Sequence, residues 1–237
     1  MDRRESLISR RALLATCGVV VAGCAGTPAV APQARAEEWS PFVLPGKRPT
    51  SYKRASKDGR FAWHAHAEAS ASMLRRRIPP RAVEGLVAEF GWWVPSTIDQ
   101  ADLSKAESAD SPVRVAFAFG GDHARLSARA RMQFQMAEML TGEEPPYATL
   151  MYVWDNHAPV ESVLTSRRSD RVRKLVLECG PGQLGRWRAY RRQLAADYRR
   201  AFAEEPGPLL AIALMTDADN TGSSAEAWYS DVVLRPA

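Results

Sequence analysis

Short apolar runs that recur between turn residues constrain this chain most. They are "GRFAWHAHA" (59–67), "GLVAEFGWWV" (85–94), "SPVRVAFAF" (111–119), "YATLMYVW" (147–154), "RVRKLVLEC" (171–179), "PLLAIALMT" (208–216) and "EAWYSDVVL" (226–234), with a weaker one near 50–55. Several alternate with period two, the spacing that sends successive strand side chains to opposite faces. Phe61, Trp63, Ala65 and Ala67 would share one face, and His64 and His66 the other. Val113, Val115, Phe117 and Phe119 oppose Arg114 in the same way.

Two stretches read as helices. Over 122–142, Asp122 is placed to cap the start and Gly142 to end it. Over 185–205, Trp187, Tyr190, Leu194, Tyr198 and Phe202 fall at spacings of three and four, which makes one apolar face with arginines opposite. The pattern is mainly β: a sandwich of about eight strands with two inserted helices. Strands and helices do not alternate regularly, which argues against a doubly wound α/β fold.

The N-terminus carries an address. Four arginines precede an apolar stretch at 12–22, too short for the ~20 residues that span a bilayer. A basic segment, a short apolar core and small residues make a secretory signal over 1–23. The adjacent Arg10 and Arg11 in "SRRALLA" resemble a twin-arginine export signal. "VAGC" resembles a lipobox, which implies lipidation of Cys24 and attachment to the membrane. Ala25 follows, and the lack of aspartate there implies, by resemblance to lipoprotein sorting, the periplasmic face of the outer membrane. Residues 24–38, rich in Ala and Pro, read as a flexible tether with a reach of roughly 20 Å. A single domain is expected over 39–237.

Of the chain's net charge of +5, residues 1–23 contribute +2, so the rest is mildly basic and mixed in sign. That is not a nucleic-acid footprint; "RRRI" (75–78) and "YRRQLAADYRR" read as solvated faces. With Cys17 lost in the signal and Cys24 lipidated, only Cys179 remains, so no internal disulfide forms. Cys179 ends an apolar run and reads as buried rather than reactive.

Beyond Trp39 the chain resembles the bacterial envelope proteins grouped as domain of unknown function 3047. The matching pieces include "FAWHAHAEASASML" (61–74), "EFGWWV" (89–94), "WRAYRRQLAADYRRAFAEEPG" (187–207) and, most specific, "IALMTDADNTGSSAEAWYSDVVL" (212–234). The resemblance implies a jelly-roll-like sandwich similar to carbohydrate-binding modules, with no assigned activity. Where the family tends to alternate tryptophans, this chain has Phe90 and Trp92 on one face and Trp93 on the other.

Candidate sites follow from side-chain chemistry. Asp217, Asp219 and Thr221 before Gly222 mimic the start of a calcium loop. Trp228 stands where an EF-hand needs a bidentate acid, so an EF-hand is excluded. No cofactor is firmly implied; a structural Ca²⁺ on those oxygens is one reading, and side chains tying a tight turn is the other. Asp217, Asp219, Asn220 and Trp93 form a candidate rim for a glycan or other envelope component. Trp39 alternates outward as well, whereas Trp63, Trp92, Trp154 and Trp228 read as core. His64 and His66 share a face with Glu68, and Asp155 and His157 are further partners for a zinc reading. Asp110 and Arg114 flank a strand and read as an ion pair. No G-x-S-x-G elbow, H-E-x-x-H helix or P-loop is present. The expectation is therefore a non-catalytic binding module. A metal-assisted or acid/base hydrolase using the same aspartates or histidines, and an envelope scaffold, are the alternatives. The sequence sets no oligomeric state.

Overall fold

The computed structural model describes residues 38–237. Arg10, Arg11, Cys24 and nearly all of the tether lie outside the described residues. The strands are β1 (Trp39–Val43), β2 (Ser51–Lys57), β3 (Arg60–Glu68), β4 (Ala71–Arg81), β5 (Leu86–Trp93) and β6 (Ser111–Phe119), then α1 (Ala128–Thr141). They continue with β7 (Ala148–Asp155), β8 (Val163–Thr165), β9 (Val172–Cys179), β10 (Trp187–Gln193), α2 (Leu194–Phe202), β11 (Leu209–Asp217), β12 (Ser224–Tyr229) and β13 (Val233–Pro236).

These build a two-sheet sandwich. A seven-stranded sheet runs β1-β4-β11-β6-β7-β9-β8; the other runs β10-β5-β12-β3-β2, with β13 also on β5. Among the described strands, only β7 and β9 pair in parallel. Alternation fills the space between the sheets: Val115, Phe117, Leu150 and Leu214 from one side, Phe90, Trp92 and Tyr229 from the other, all buried. Phe90 crosses the gap to Tyr152 at 5.3 Å and to Phe117 at 6.3 Å.

Both the mainly β class and the two inserted helices hold, but several boundaries differ from the sequence expectation. The stretch at 185–205 is not one helix. Its first part is β10, antiparallel to β5, and only Leu194–Phe202 is helical. The inward positions of β10 are Arg188, Tyr190 and Arg192. The two arginines are satisfied by Glu178 at 2.7 Å and Asp197 at 2.8 Å, so the period of two is carried by charge and reads as polar. The cluster at 75–78 is not a solvated face: it lies within β4, where Arg75 meets Glu143 at 2.8 Å and Arg76 donates to the Val232 carbonyl. The last run is two strands, β12 and β13, both on β5.

Capping also differs. Ser127, not Asp122, caps α1; Asp122 caps the preceding 3₁₀ turn His123–Arg125. Gly142 does end α1, in the left-handed conformation at φ 71° that glycine adopts without strain. Phe61 is exposed although its partners Ala65 and Ala67 are buried.

Both faces of the seven-stranded sheet are covered. Residues of opposite parity to the core, among them Ala116, Met151, Val153, Val176 and Ala213, bury against Leu103 of the 98–110 loop. This second layer shapes the site.

Candidate functional site

Asp217, the last residue of β11, has the parity of Met215 and Ala213 and points away from the central core. It is 3% exposed. Its Oδ1 accepts from Arg114 Nε at 2.8 Å and from the Ser111 amide at 3.1 Å; its Oδ2 accepts from Arg114 Nη2 at 2.7 Å. Arg114, the outward residue of neighbouring β6, is thus buried on its own face because that face is covered. Its partner is Asp217, not Asp110. Burial pushes the Asp217 carboxyl up, to about 6, against the pull of the guanidinium.

Asp110 instead organises the loop after β11. It accepts from the amides of Asn220 and Thr221 and from Asn220 Nδ2 and Thr221 Oγ1, at 2.7–3.2 Å. The loop side chains therefore donate to a carboxylate at the end of the 98–110 loop rather than tying their own backbone. Gly222 turns at φ 65° and Ser223 N closes on the Ala218 carbonyl. Asp219 meets Lys47. Asn220 Oδ1 accepts from Arg168 Nη2 at 2.9 Å.

Among the described residues, Asp110, Asp217 and Asp219 are the one group of three whose ligand atoms lie within 4.8 Å of one another. Thr221, counted with the calcium set in the sequence, serves Asp110 instead. Oxygens of all three carboxylates already accept from protein donors, so an ion would compete with Arg114, Lys47 and the loop amides.

Beside this loop, the outer face of the seven-stranded sheet carries a groove of about 240 Å³. Met73 of β4, Met151 of β7 and Met215 of β11 form its floor, and Leu103 and the 166–169 segment form its walls. Lys174 of β9 opens into it and is 4% exposed. Its Nζ donates to the Leu103 carbonyl at 3.1 Å. Burial lowers the ammonium to about 7; Arg114 adds to that, while Asp217 and Asp155 oppose it. A second cavity of about 420 Å³ adjoins across Ser166, Arg167, Arg168 and Ser169, reaching Ser127, Arg129 and Gln133 at the start of α1.

The structure divides the candidate rim. Asp217, Asp219 and Asn220 line the groove, but Trp93 lies on the outer face of the other sheet. There it meets Trp228 edge-on at 5.0 Å, and the Lys57 ammonium sits 3.6 Å from its ring centre. His64 stacks on Trp228 at 4.4 Å and bonds Glu226 at 2.6 Å. These ring faces are engaged with one another and make no open platform. Trp228 is accordingly an outer-face residue rather than core, and Trp63 is half-buried, its ring under Arg54. His66, Glu68 and His157 are exposed, and Asp155 is buried, accepting from the amides of Leu103, His157 and Ala158. The zinc grouping is not assembled. Cys179 is half-buried, and burial pushes its thiol up, away from reactivity.

Sequence reasoning missed Lys174, the floor methionines and the 166–169 arginines. One signal was present: "YATLMYVW" and "RKLVLEC" are apolar on both parities, which means a strand covered on both faces. A lysine inside such a run has to be buried or to line a cavity.

The fold and site define a two-sheet β-sandwich with a groove of apolar floor and charged rim on the outer face of its larger sheet. The chain belongs to the family described as Protein of unknown function (DUF3047), which matches residues 37–233. No curated protein matches it. Among solved structures it is similar to the family 11 carbohydrate-binding module of the cellulosomal cellulase Lic26A-Cel5E of Clostridium thermocellum, at 10% identity and a TM-score of 0.42, covering 84% of this chain and 88% of that one. The same module in complex with a beta-1,3-1,4-mixed-linked tetrasaccharide gives 10% identity and 0.43, over 84% and 89%. The cellulose induced protein Cip1 gives 12% and 0.33, over 84% and 92%. These likenesses concern the fold alone.

Proposed function

We propose that the protein is an exported, lipid-anchored, non-catalytic binding module of the cell envelope, and that its ligand is a glycan held on the outer face of the seven-stranded sheet. The pair of adjoining cavities, about 420 and 240 Å³, carries this reading. Sugars present apolar C–H faces and many hydroxyls. A methionine floor suits the first, because thioethers adapt to irregular apolar surfaces. Serine hydroxyls and guanidiniums suit the second. Asp217 is held by Arg114 and Ser111 and is not free to act as acid or base, which favours binding over hydrolysis. Export rests on Arg10 and Arg11, and anchoring on Cys24. A glycan array probed with the full-length protein should return at least one ligand, and an array with none bound would refute the reading.

An assembly role is the second reading. Met132, Met136, Met139 and Leu140 recur at helical spacing on α1 and are each more than half exposed. Replacing them with glutamine would abolish envelope-protein capture if that role holds and leave glycan binding intact if it does not.

A further inference from the structure

Three cations around the groove have only neutral partners. Lys174 donates to the Leu103 carbonyl at 3.1 Å, Arg167 Nε to the Ser104 carbonyl at 2.9 Å, and Arg168 Nη2 to Asn220 Oδ1 at 2.9 Å. The other cations of the wall are matched: Lys47 by Asp219, Lys105 by Asp102 and Arg114 by Asp217. The groove lining therefore holds more cations than carboxylates, with Asp155 offsetting part of that charge at Lys174, and Lys174 itself is buried.

An ammonium has three donors, and Lys174 uses one. A buried charge without a counter-ion is unfavourable, and packing alone would be served as well by a methionine. Arg114 on β6 and Arg168 on the 166–169 segment repel the ammonium; Asp217 on β11 and Asp155 on β7 attract it, yet neither lies within bonding distance. An anion entering the groove would take up the spare donors and relieve the repulsion. The guanidiniums of Arg167 and Arg168, exposed at the rim, offer the planar fork that suits a carboxylate.

We propose that the groove takes an acidic glycan, with the carboxylate of a uronate-type sugar seated on Lys174 and embraced at the rim by Arg167 and Arg168. This rests on the reading of the groove as a glycan site and specifies its ligand class. Binding weakens as pH rises through about 7, because the Lys174 ammonium loses its proton there while the sugar carboxylate stays ionised. It also weakens with salt, since the rim arginines are exposed and screened.

Calorimetric titration of the full-length protein in detergent micelles, with tetragalacturonate and its methyl ester as probes, tests this. The free acid should bind at least about tenfold more tightly than the ester, the scale of one charge-assisted hydrogen bond. Lys174→Met should remove that preference, as should Arg168→Gln at an exposed position that leaves the fold intact. Affinity should be lower at pH 8 than at pH 6. Equal binding of acid and ester, unchanged by Lys174→Met, would overturn the acidic ligand while leaving the glycan reading standing. Failure to bind either probe would also overturn it, and the array then decides the wider reading independently.

Discussion

The Arg114–Asp217 pair shows how a covered outer face changes the meaning of a polar residue. Both lie on outward positions of neighbouring strands, where alternation alone places them in solvent. The 98–110 loop and the 217–222 loop seal them in, and each is then obliged to satisfy the other. Removing one leaves the other buried and uncompensated, so Asp217→Ala should destabilise the protein by about 3–5 kcal/mol, measured by denaturant unfolding. Lys174 behaves oppositely. Its folded value, near 7, lies below the unfolded 10.5. Between these values the unfolded chain binds more protons, so stability falls as pH drops from about 10.5 to 7. Lys174→Met should flatten that slope and raise stability at pH 7 by roughly 1–3 kcal/mol, and thermal melts at pH 7 and 10 would show the difference closing at high pH.

At the scale of elements, legibility followed chemistry. Strands whose inward positions are apolar, β3, β5, β6 and β7, stand out in the sequence. β4 and β10 do not, because Arg76, Arg188 and Arg192 occupy inward positions, where the Val232 carbonyl, Glu178 and Asp197 take up their donors. The run at 187–202 even satisfies helical spacing, and pairing with β5 overrides it over Trp187–Gln193. Of the site, Asp217, Asp219 and Asn220 were visible as a polar group at a strand end. Lys174 and the methionines were not, because only the fold brings β4, β7, β9 and β11 together. The two helices differ in anchorage. Among the residues of α1 only Ala130 is buried, whereas α2 buries Leu194, Ala195, Asp197, Tyr198 and Ala201. Hydrogen exchange should therefore open α1 well before α2. Equal protection would contradict the packing. The approach of the segment before β11 to the end of β6 is as strict: a Cβ at Gly207 would lie 2.0 Å from the Gly120 carbonyl oxygen. Gly207→Ala should cost about 1–3 kcal/mol or more in denaturant unfolding, because backbone has to move.

At the scale of the whole molecule, the two outer faces have separate characters. The smaller sheet shows tryptophans and His64 engaged with one another. The larger sheet shows a groove with a soft apolar floor and spare cations. Chelator should not lower the melting temperature, because the three clustered aspartates already accept from protein donors; a drop restored by Ca²⁺ would reverse that expectation. Changing Arg10 and Arg11 to lysine should retain the precursor inside the cell, and Cys24→Ser should release the protein from membranes, both read by fractionation. On the proposed reading, ligand binds in the groove and not on the tryptophan face. A glycan array probed with the wild type, Lys174→Met and Trp93→Ala measures this most directly. The expected result is a glycan bound equally by the wild type and Trp93→Ala and at least about tenfold more weakly by Lys174→Met; binding lost by Trp93→Ala and unchanged by Lys174→Met would contradict it.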